Sequence, residues 1–201
     1  MTGSFGVNSM VSPLISVAMR APGAILSADH EKWHYGKVLD DLALVEQFNE
    51  FTRLLSSSGV EIIWLPDDAD ELADSVFTYD PSFMLPSGAV LLRPGKERRL
   101  GEVDVHRRFY QHAEIPILGT IEAPGTIEGG DCFWLNETTL AVGKGFRSND
   151  VGISQFRDLV SAEGIEVIQF DLPDYKGPDA CLHLMSLVSP LDSDLAIVFE
   201  P

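Results

Sequence analysis

Residues 51–63 read FTRLLSSSGVEII, and residues 156–168 read FRDLVSAEGIEVI. In both stretches a helical pattern ends at a glycine, Gly59 or Gly164, which can adopt the left-handed conformation that commonly ends a helix. An apolar-rich run follows each glycine, Val60–Leu65 and Ile165–Phe170, and such continuous runs are typical of strands buried on both faces. The recurrence of one helix–strand pattern 105 residues later indicates a fold built from repeated units.

Each repeated helix is predicted to carry one apolar face, because its apolar residues recur at helical spacing. Asn149 or Asp150 can cap the second helix, since a side-chain oxygen there can accept a backbone N–H of the first turn. The sequence therefore predicts amphipathic helices that pack on a sheet. The apolar positions are Val38, Leu42, Val45, Phe48 and Leu55 in the first helix, and Ile153, Phe156 and Val160 in the second.

Strand–turn–strand patterns lie between and after the two copies. A weaker middle copy places a helix over Leu100–Ala113 and a strand over Ile115–Leu118. The repeated unit is therefore a hairpin, a helix and a strand. The predicted hairpins pair Ser75–Leu85 with Ala89–Leu92, Asp131–Leu135 with Thr139–Val142, and Cys181–Val188 with Leu195–Phe199.

The units differ at the two ends of the array. The first has a single strand near Leu14–Met19 before its helix, and the last reaches Pro201 as a hairpin alone. Because an array without a closing unit leaves an apolar face uncovered, we expect a further segment of chain or a partner to complete it. The expected organisation is one α/β domain over residues 1–201 that is incomplete at its C-terminal end.

Composition narrows the classes of function. The 201 residues are 45% hydrophobic, which allows a substantial core and argues against disorder. The net charge of −17 disfavours nucleic acid and anionic membranes as partners and favours a cationic small-molecule substrate. No apolar run approaches the roughly 20 residues of a membrane span, and no secretion signal is recognisable. We therefore expect a cytoplasmic protein.

Three polar clusters coincide with predicted hairpins or strand-to-helix turns, where sites on a rigid scaffold commonly lie. They are Asp74–Asp80 with Arg99, Glu128–Asp131 with the loop Gly143–Asn149, and Cys181–His183. Each has an ordinary structural interpretation: turn or cap aspartates, a tight glycine turn, a loop leading into a helix, and a core histidine on a strand. Taken singly, each cluster favours that interpretation.

Together the clusters favour a binding site. Acids, arginines and a histidine recur at equivalent places in successive units, and a closed ring of units would direct them to one axis. Carboxylates bind guanidinium or ammonium groups, and arginines bind carboxylates. A histidine beside a glutamate can act as a general acid and base. Such a site suits a zwitterionic, cationic amino acid, and arginine is one.

Four pieces of the sequence carry a family resemblance: DSVFTYD at 74–80, LRPG at 92–95 with RRLGE at 98–102, IEAPGTIEGGD at 121–131, and His183-Leu184. With them the chain resembles the dimethylarginine dimethylaminohydrolases and arginine deiminases, which modify guanidino groups. The resemblance runs over nearly the whole chain. It implies an α/β fold, a five-bladed α/β-propeller (pentein) of hairpin–helix–strand repeats, here lacking the final repeat. It also implies that neither a cofactor nor a metal is required.

The resemblance implies which residues bind the substrate. Asp80 would bind the guanidinium group, and Asp74 would lie near the amino-acid end of the ligand. Arg99 and Arg147 would hold the substrate carboxylate, and Phe77 is among the substrate-binding residues.

The resemblance also implies catalytic roles. Glu128 would orient His183 and bind the reacting guanidinium, and His183 would protonate the leaving amine and then activate water. In the family a cysteine near the C-terminus attacks the guanidinium carbon, and hydrolysis of the thiouronium intermediate gives citrulline. We expect this nucleophile beyond residue 201, and Cys181 and Cys132 are less favoured for the role.

Two positions depart from the family pattern. Tyr79 stands where methylarginine hydrolases often have a second acid, and Met185 stands where deiminases often have an aspartate. Methylated arginine, free arginine and other guanidino compounds therefore stay open as substrates. A non-catalytic arginine-binding protein, an amidinotransferase and association into a homo-oligomer are also open alternatives. His30 and His34 are interpreted as lid or packing residues rather than metal ligands.

Overall fold

The computed structural model describes residues 5–66, 71–177 and 182–200. The chain divides into two compact units, a larger one of Met1–Ser12 with Tyr79–Pro201 and a smaller one of Pro13–Thr78. None of the helices within the described ranges is long and apolar enough to cross a membrane.

The smaller unit contains two parallel strands, with one short and one long helix between them in sequence. Asp40 caps the long helix, because its Oδ1 accepts the backbone N–H of Ala43 at 3.1 Å. Gly59 follows the last turn with a φ of 83°, which confirms its predicted left-handed conformation. The elements are β1 (Ser16–Met19), α1 (Gly23–Leu26), α2 (Asp41–Ser57), β2 (Glu61–Trp64) and a 3-10 turn over Ala73–Val76.

The smaller unit buries less of its predicted apolar surface than expected. Val38 precedes α2 and is exposed, and Leu42 within the helix is 78% exposed. The prediction that β2 is buried on both faces is also wrong, since Glu61 and Trp64 are both exposed. The reason is that, among the described residues, β2 pairs with β1 alone. The half-buried members of the predicted stripe are Val45, Phe48 and Leu55.

The larger unit contains the same three-stranded module twice, which confirms the predicted repeat. In each module a hairpin is followed by a helix, and the next strand pairs in parallel with the second hairpin strand. The first module comprises β3 (Ser82–Leu85), β4 (Gly88–Leu91), α3 (Glu102–His112) and β5 (Ile117–Thr120). The second comprises β6 (Cys132–Asn136), β7 (Thr139–Lys144), α4 (Asp150–Ser161) and β8 (Glu166–Asp171).

Helix α4 forms as the sequence predicts. Asn149 caps it by accepting the backbone N–H of Gly152 at 2.8 Å, and Gly164 follows it with a φ of 77°. The Phe156 ring packs edge-on against Phe83 of the first module with centroids 5.6 Å apart. The two modules therefore share one apolar core. The predicted apolar residues Ile153, Phe156 and Val160 are all fully buried.

Two predicted strands differ from those observed in extent or burial. The first hairpin begins at Ser82 rather than Ser75, because Ala73–Val76 form a 3-10 turn. Strand β8 is not buried on both faces, since Ile168 and Phe170 are exposed. It is the edge strand of a three-stranded sheet, so that its burial alternates over most of its length.

The third predicted hairpin begins later than expected, because a helical turn replaces the start of its first strand. Leu184–Leu187 form a short helix, α5, and His183 is its N-cap rather than a strand residue. The Ser186 hydroxyl accepts the His183 backbone N–H at 3.2 Å, and the His183 side chain accepts the Ser186 backbone N–H. These local hydrogen bonds stabilise a helical start in place of a strand. The hairpin strands are β9 (Val188–Asp192) and β10 (Leu195–Val198).

Truncation of Phe156 tests the shared core. Phe156→Ala is expected to lower the free energy of unfolding by about 3–5 kcal/mol, because it leaves a cavity between the two modules. Val151→Ala on the exposed face of the same helix is expected to change it by no more than about 0.5 kcal/mol. Chemical denaturation of the protein made from its complete gene measures both values. Equal effects of the two substitutions would contradict the shared core.

Candidate active site

Five of the predicted site residues meet in one cluster of the larger unit. Asp80 precedes β3, Arg99 lies between β4 and α3, and Glu128 lies between β5 and β6. Arg147 lies between β7 and α4, and His183 caps α5. Each of these residues therefore lies on a connection before or between the helices and strands of the two modules, or, for His183, just before helix α5.

Glu128 and His183 form the central pair of the cluster. Glu128 Oε2 lies 2.7 Å from His183 Nε2, and both side chains are buried. Glu128 Oε1 accepts the backbone N–H of Gly95 at 2.9 Å and lies 3.6 Å from Arg147 Nη1. Burial acts to raise the pKa of Glu128, but the His183 hydrogen bond and the Arg147 and Arg99 charges outweigh it and lower the pKa below its ordinary value. The carboxylate is therefore ionised at neutral pH.

Asp80 is held by an arginine and a backbone amide. Arg99 Nη1 lies 2.5 Å from Asp80 Oδ2, and the Gly130 N–H donates to Asp80 Oδ1 at 2.9 Å. The other side of the Arg99 guanidinium binds Glu102, with Nη2 2.8 Å from Oε2 and Nε 3.0 Å from Oε1. Burial alone would lower the pKa of Arg99, but Glu102 and Asp80 raise it above its ordinary value. Arg99, expected at the substrate carboxylate, is thus placed against two carboxylates of the protein.

The two glycines after Glu128 allow a close approach of backbone and side chains. A Cβ atom at Gly130 would lie 2.7 Å from the His183 ring, closer than real Cβ contacts. A Cβ atom at Gly129 would collide with the Tyr79 carbonyl oxygen. Glycine is therefore required at both positions for steric reasons.

Asp74 and Phe77 belong to the smaller unit. Asp74 is buried, and its Oδ1 accepts the Tyr35 hydroxyl at 2.7 Å. Phe77 follows the 3-10 turn and is 54% exposed. Their roles in substrate binding stay predictions.

Of the two cysteines, Cys132 lies within the described residues. Cys132 is fully buried, and burial raises the pKa of its thiol well above the ordinary value, with the charges of Asp131 and Asp80 acting in the same direction. A buried thiol of raised pKa is a poor nucleophile. Cys181 lies outside the described residues.

Ligand atoms of Asp80, Glu128 and His183 lie within 4.8 Å of one another, so this trio could hold a cation. These groups already bind Arg99, the Gly95 and Gly130 amides, and each other. A planar cation with several N–H donors suits this mixed set of partners at least as well as a metal ion. That the site works without a metal or cofactor stays a prediction.

Four further residues of the cluster lie within motifs or polar segments that the sequence indicates, but the sequence assigns them no role. Glu102, three residues after Arg99, has a helical spacing that signals an ion pair, although Arg99 precedes the helix. Gly95 contributes through its backbone, which the antiparallel bridge between Arg93 and Ile127 brings beside Glu128. Asp131 and Ser148 contribute through hydrogen bonds that join separate loops. The hydrogen bonds that Glu128, Ser148 and Asp131 accept from backbone N–H groups leave no residue-type signal in the sequence.

Comparison with known proteins places the chain in a family. The family model described as arginine deiminase matches residues 67–201. The chain belongs to the arginine deiminase and dimethylarginine dimethylaminohydrolase family. N(G),N(G)-dimethylarginine dimethylaminohydrolase from Pseudomonas aeruginosa is 32% identical over 149 residues, which cover 74% of this chain and 58% of that protein. The enzyme of the same name from Streptomyces coelicolor is 29% identical over 181 residues, covering 90% of this chain and 64% of that protein.

A solved structure supports the same family. A variant of the Pseudomonas aeruginosa dimethylarginine dimethylaminohydrolase, in complex with citrulline, superposes with a TM-score of 0.73 at 26% identity. The superposition covers 88% of this chain and 66% of that one. The fold is therefore the α/β propeller-like fold of this family. The chain spans less than two thirds of the length of both curated relatives.

The buried Asp131 carboxyl gives this family member a testable pH dependence. Burial raises the pKa of Asp131 to about 6 from an ordinary 3.8, although His183 and two hydrogen bonds oppose it. The native state binds the Asp131 proton more tightly than the unfolded state does. The contribution of Asp131 to the free energy of unfolding is therefore complete below about pH 4 and is lost as the pH rises through about 6. In Asp131→Asn the dependence disappears, so the unfolding free energy of the variant relative to wild type rises by up to about 3 kcal/mol from about pH 4 to 7.

Denaturant titrations of both proteins over this pH range measure that difference. The altered hydrogen bonds of the variant add an offset that does not change with pH. A difference that is flat with pH would contradict the raised pKa.

Proposed function

We propose that the protein is a hydrolase of the guanidino C–N bond of arginine or an N-methylated arginine, releasing citrulline and ammonia or an amine. The observation that carries the proposal is the buried Glu128–His183 pair, whose ligand atoms lie within 4.8 Å of those of Asp80. In such an arrangement the second carboxylate, here that of Asp80, can bind a cation, and the histidine can give a proton to an amine that leaves beside it. Family membership supports this choice of chemistry.

The charge of the cluster favours a guanidinium as the ligand. Asp80, Glu102 and Glu128 are three carboxylates, and Arg99 and Arg147 are two cations, so these five groups carry one net negative charge when His183 is neutral. The buried Asp131 adds a further negative charge when it is ionised. A buried excess charge is unfavourable unless a partner compensates it. A substrate guanidinium between Asp80 and Glu128 would supply that compensation with N–H donors in a plane.

The two arginines differ in their access to a ligand. The Arg99 side chain is 4% exposed and binds Asp80 and Glu102, so we assign it the role of holding Asp80 in place. The Arg147 side chain is 14% exposed and lies 3.6 Å from Glu128, so it is better placed to reach the carboxylate of an amino-acid substrate. Of the two arginines that the family resemblance implies at the substrate carboxylate, we therefore propose Arg147 alone for that role.

The proposed reaction proceeds in two halves. A cysteine thiolate attacks the guanidinium carbon, and His183 gives a proton to the departing amine as the C–N bond breaks. Water then attacks the resulting thiouronium carbon while His183 accepts one of its protons. The C–S bond breaks to release citrulline and regenerate the thiolate, as the second proton of the water passes to solvent or to the released amine. Glu128 stabilises the protonated form of His183 throughout. The burial of Cys132 argues against this residue as the nucleophile. From the family resemblance, which implies a cysteine near the C-terminus, we propose a cysteine beyond residue 201.

The proposed architecture is a five-bladed propeller within one guanidino-modifying domain. Two complete modules, β3–β5 and β6–β8, are accompanied by the strand pairs β1–β2 and β9–β10. A parallel pair with an intervening helix matches the second half of the module, and an antiparallel hairpin matches its first half. This correspondence supports a repeat that continues through all the strands.

Substitution of the central pair tests the proposed function. In the protein made from its complete gene, Glu128→Gln and His183→Ala are each expected to lower citrulline formation from arginine or N-methylated arginine by about 100-fold or more. Glu122→Gln, at an exposed glutamate just before the motif, is the matched control and should retain the wild-type rate. Colorimetric citrulline assays measure all three.

Retention of more than about a tenth of the wild-type rate in both site variants would contradict the assigned roles. A wild-type protein that binds arginine without turning it over would instead support the non-catalytic binding alternative.

A further inference from the structure

A two-residue pair, Asp131 and Ser148, lies directly behind the site and is fully buried. The Ser148 hydroxyl donates to Asp131 Oδ2 at 2.5 Å and accepts the backbone N–H of Glu128 at 3.1 Å. The other carboxylate oxygen, Asp131 Oδ1, accepts the backbone N–H of Leu184 at 2.9 Å. The pair therefore connects three segments that are distant in sequence.

Each of these hydrogen bonds ends at a proposed site residue or beside one. The N–H bound by Ser148 belongs to Glu128 itself, and Ser148 follows Arg147 directly in the sequence. The N–H bound by Asp131 belongs to Leu184, the residue after His183. The pair thus fixes the backbones that carry both members of the 2.7 Å Glu128–His183 hydrogen bond.

The polar atoms of the pair bind backbone N–H groups and each other, so these contacts give the pair a supporting role rather than a contact with substrate. A buried carboxylate also carries a substantial desolvation cost, which two hydrogen bonds offset only in part. The raised pKa of Asp131 reflects that cost. Asp131 accepts an N–H at the start of the four-residue helix α5, and capping so short a helix does not account for the desolvation cost of a buried carboxylate. Alignment of the Glu128–His183 pair gives this carboxylate a function.

We propose that Asp131 and Ser148 are positioning residues, which set the distance and angle between Glu128 and His183 by holding their backbones to one hydroxyl–carboxylate pair. This inference rests on the proposed hydrolase function. Misplacement of reacting groups by about 1 Å can lower a rate by about 100-fold without any change in binding. Loss of the hydroxyl should therefore lower kcat far more than it raises KM.

Ser148→Ala tests the proposal best, because it removes the hydroxyl that joins Asp131 to the Glu128 backbone without changing any charge. Ser82→Ala is the matched control: Ser82 is a buried hydroxyl of the same unit that bonds His106 Nδ1 at 2.9 Å and the Tyr110 hydroxyl at 2.6 Å. In the protein from the complete gene, Ser148→Ala should lower kcat by about 10- to 100-fold with KM within about threefold of wild type. Ser148→Thr, which keeps the hydroxyl, should recover most of the lost rate.

A second measurement does not depend on turnover. In ¹H–¹⁵N spectra of ring-labelled histidine, the His183 Nε2 proton that is shared with Glu128 should shift upfield in Ser148→Ala and stay in place in Ser82→Ala. A purely structural pair would lower the thermal stability of Ser148→Ala while leaving this resonance and kcat of the folded enzyme unchanged, and that result would overturn the proposal.

The two measurements separate this inference from the proposed function. If the wild-type protein hydrolyses no guanidino substrate, the proposed function fails, and the position of the His183 resonance still decides whether Ser148 sets the pair's geometry. If the wild type is active and Ser148→Ala retains full kcat, only the positioning role is overturned.

Discussion

The site depends on keeping one ionised carboxylate, that of Glu128, in the interior of the protein. A buried carboxylate is stable only where hydrogen bonds and opposite charge replace the water it has lost. His183, the Gly95 amide and Arg147 supply those partners from three different connections of the fold. Much of the local structure follows from this requirement, including the close approach that only glycine at position 130 permits.

Repetition of one module explains how such distant residues come together. Each module ends its strands at connections that precede a helix or the next hairpin, and the site residues occupy those connections. The shared apolar core, in which Phe156 packs against Phe83, fixes the two modules relative to each other. The chemistry therefore lies on loops, and the packed helices and sheets determine where the loops meet.

The sequence predicts the repeated module and the gathering of acids, arginines and a histidine, because helix caps, glycine ends and apolar spacing are local signals. It fails where a local capping interaction competes with a strand-like pattern, and where tertiary context decides. The run around His183 has a strand-like pattern, but reciprocal hydrogen bonds between His183 and Ser186 start a helix there. The burial of β2 depends on its neighbours in the sheet, and the partners of Arg99 depend on which loops face it. Residue spacing signals Glu102 as a partner of Arg99, but it encodes neither the burial of β2 nor the Arg99–Asp80 pair.

The proposed site binds a guanidinium group between the carboxylates of Asp80 and Glu128, whose ligand atoms lie within 4.8 Å of each other. A crystal structure of the Glu128→Gln variant of the complete gene product, soaked with L-arginine, would locate that group. We predict the guanidinium carbon between the side chains of Asp80 and residue 128, with the ligand carboxylate toward Arg147. A ligand bound with its carboxylate between those two side chains, or bound elsewhere on the protein, would rule out this guanidinium site.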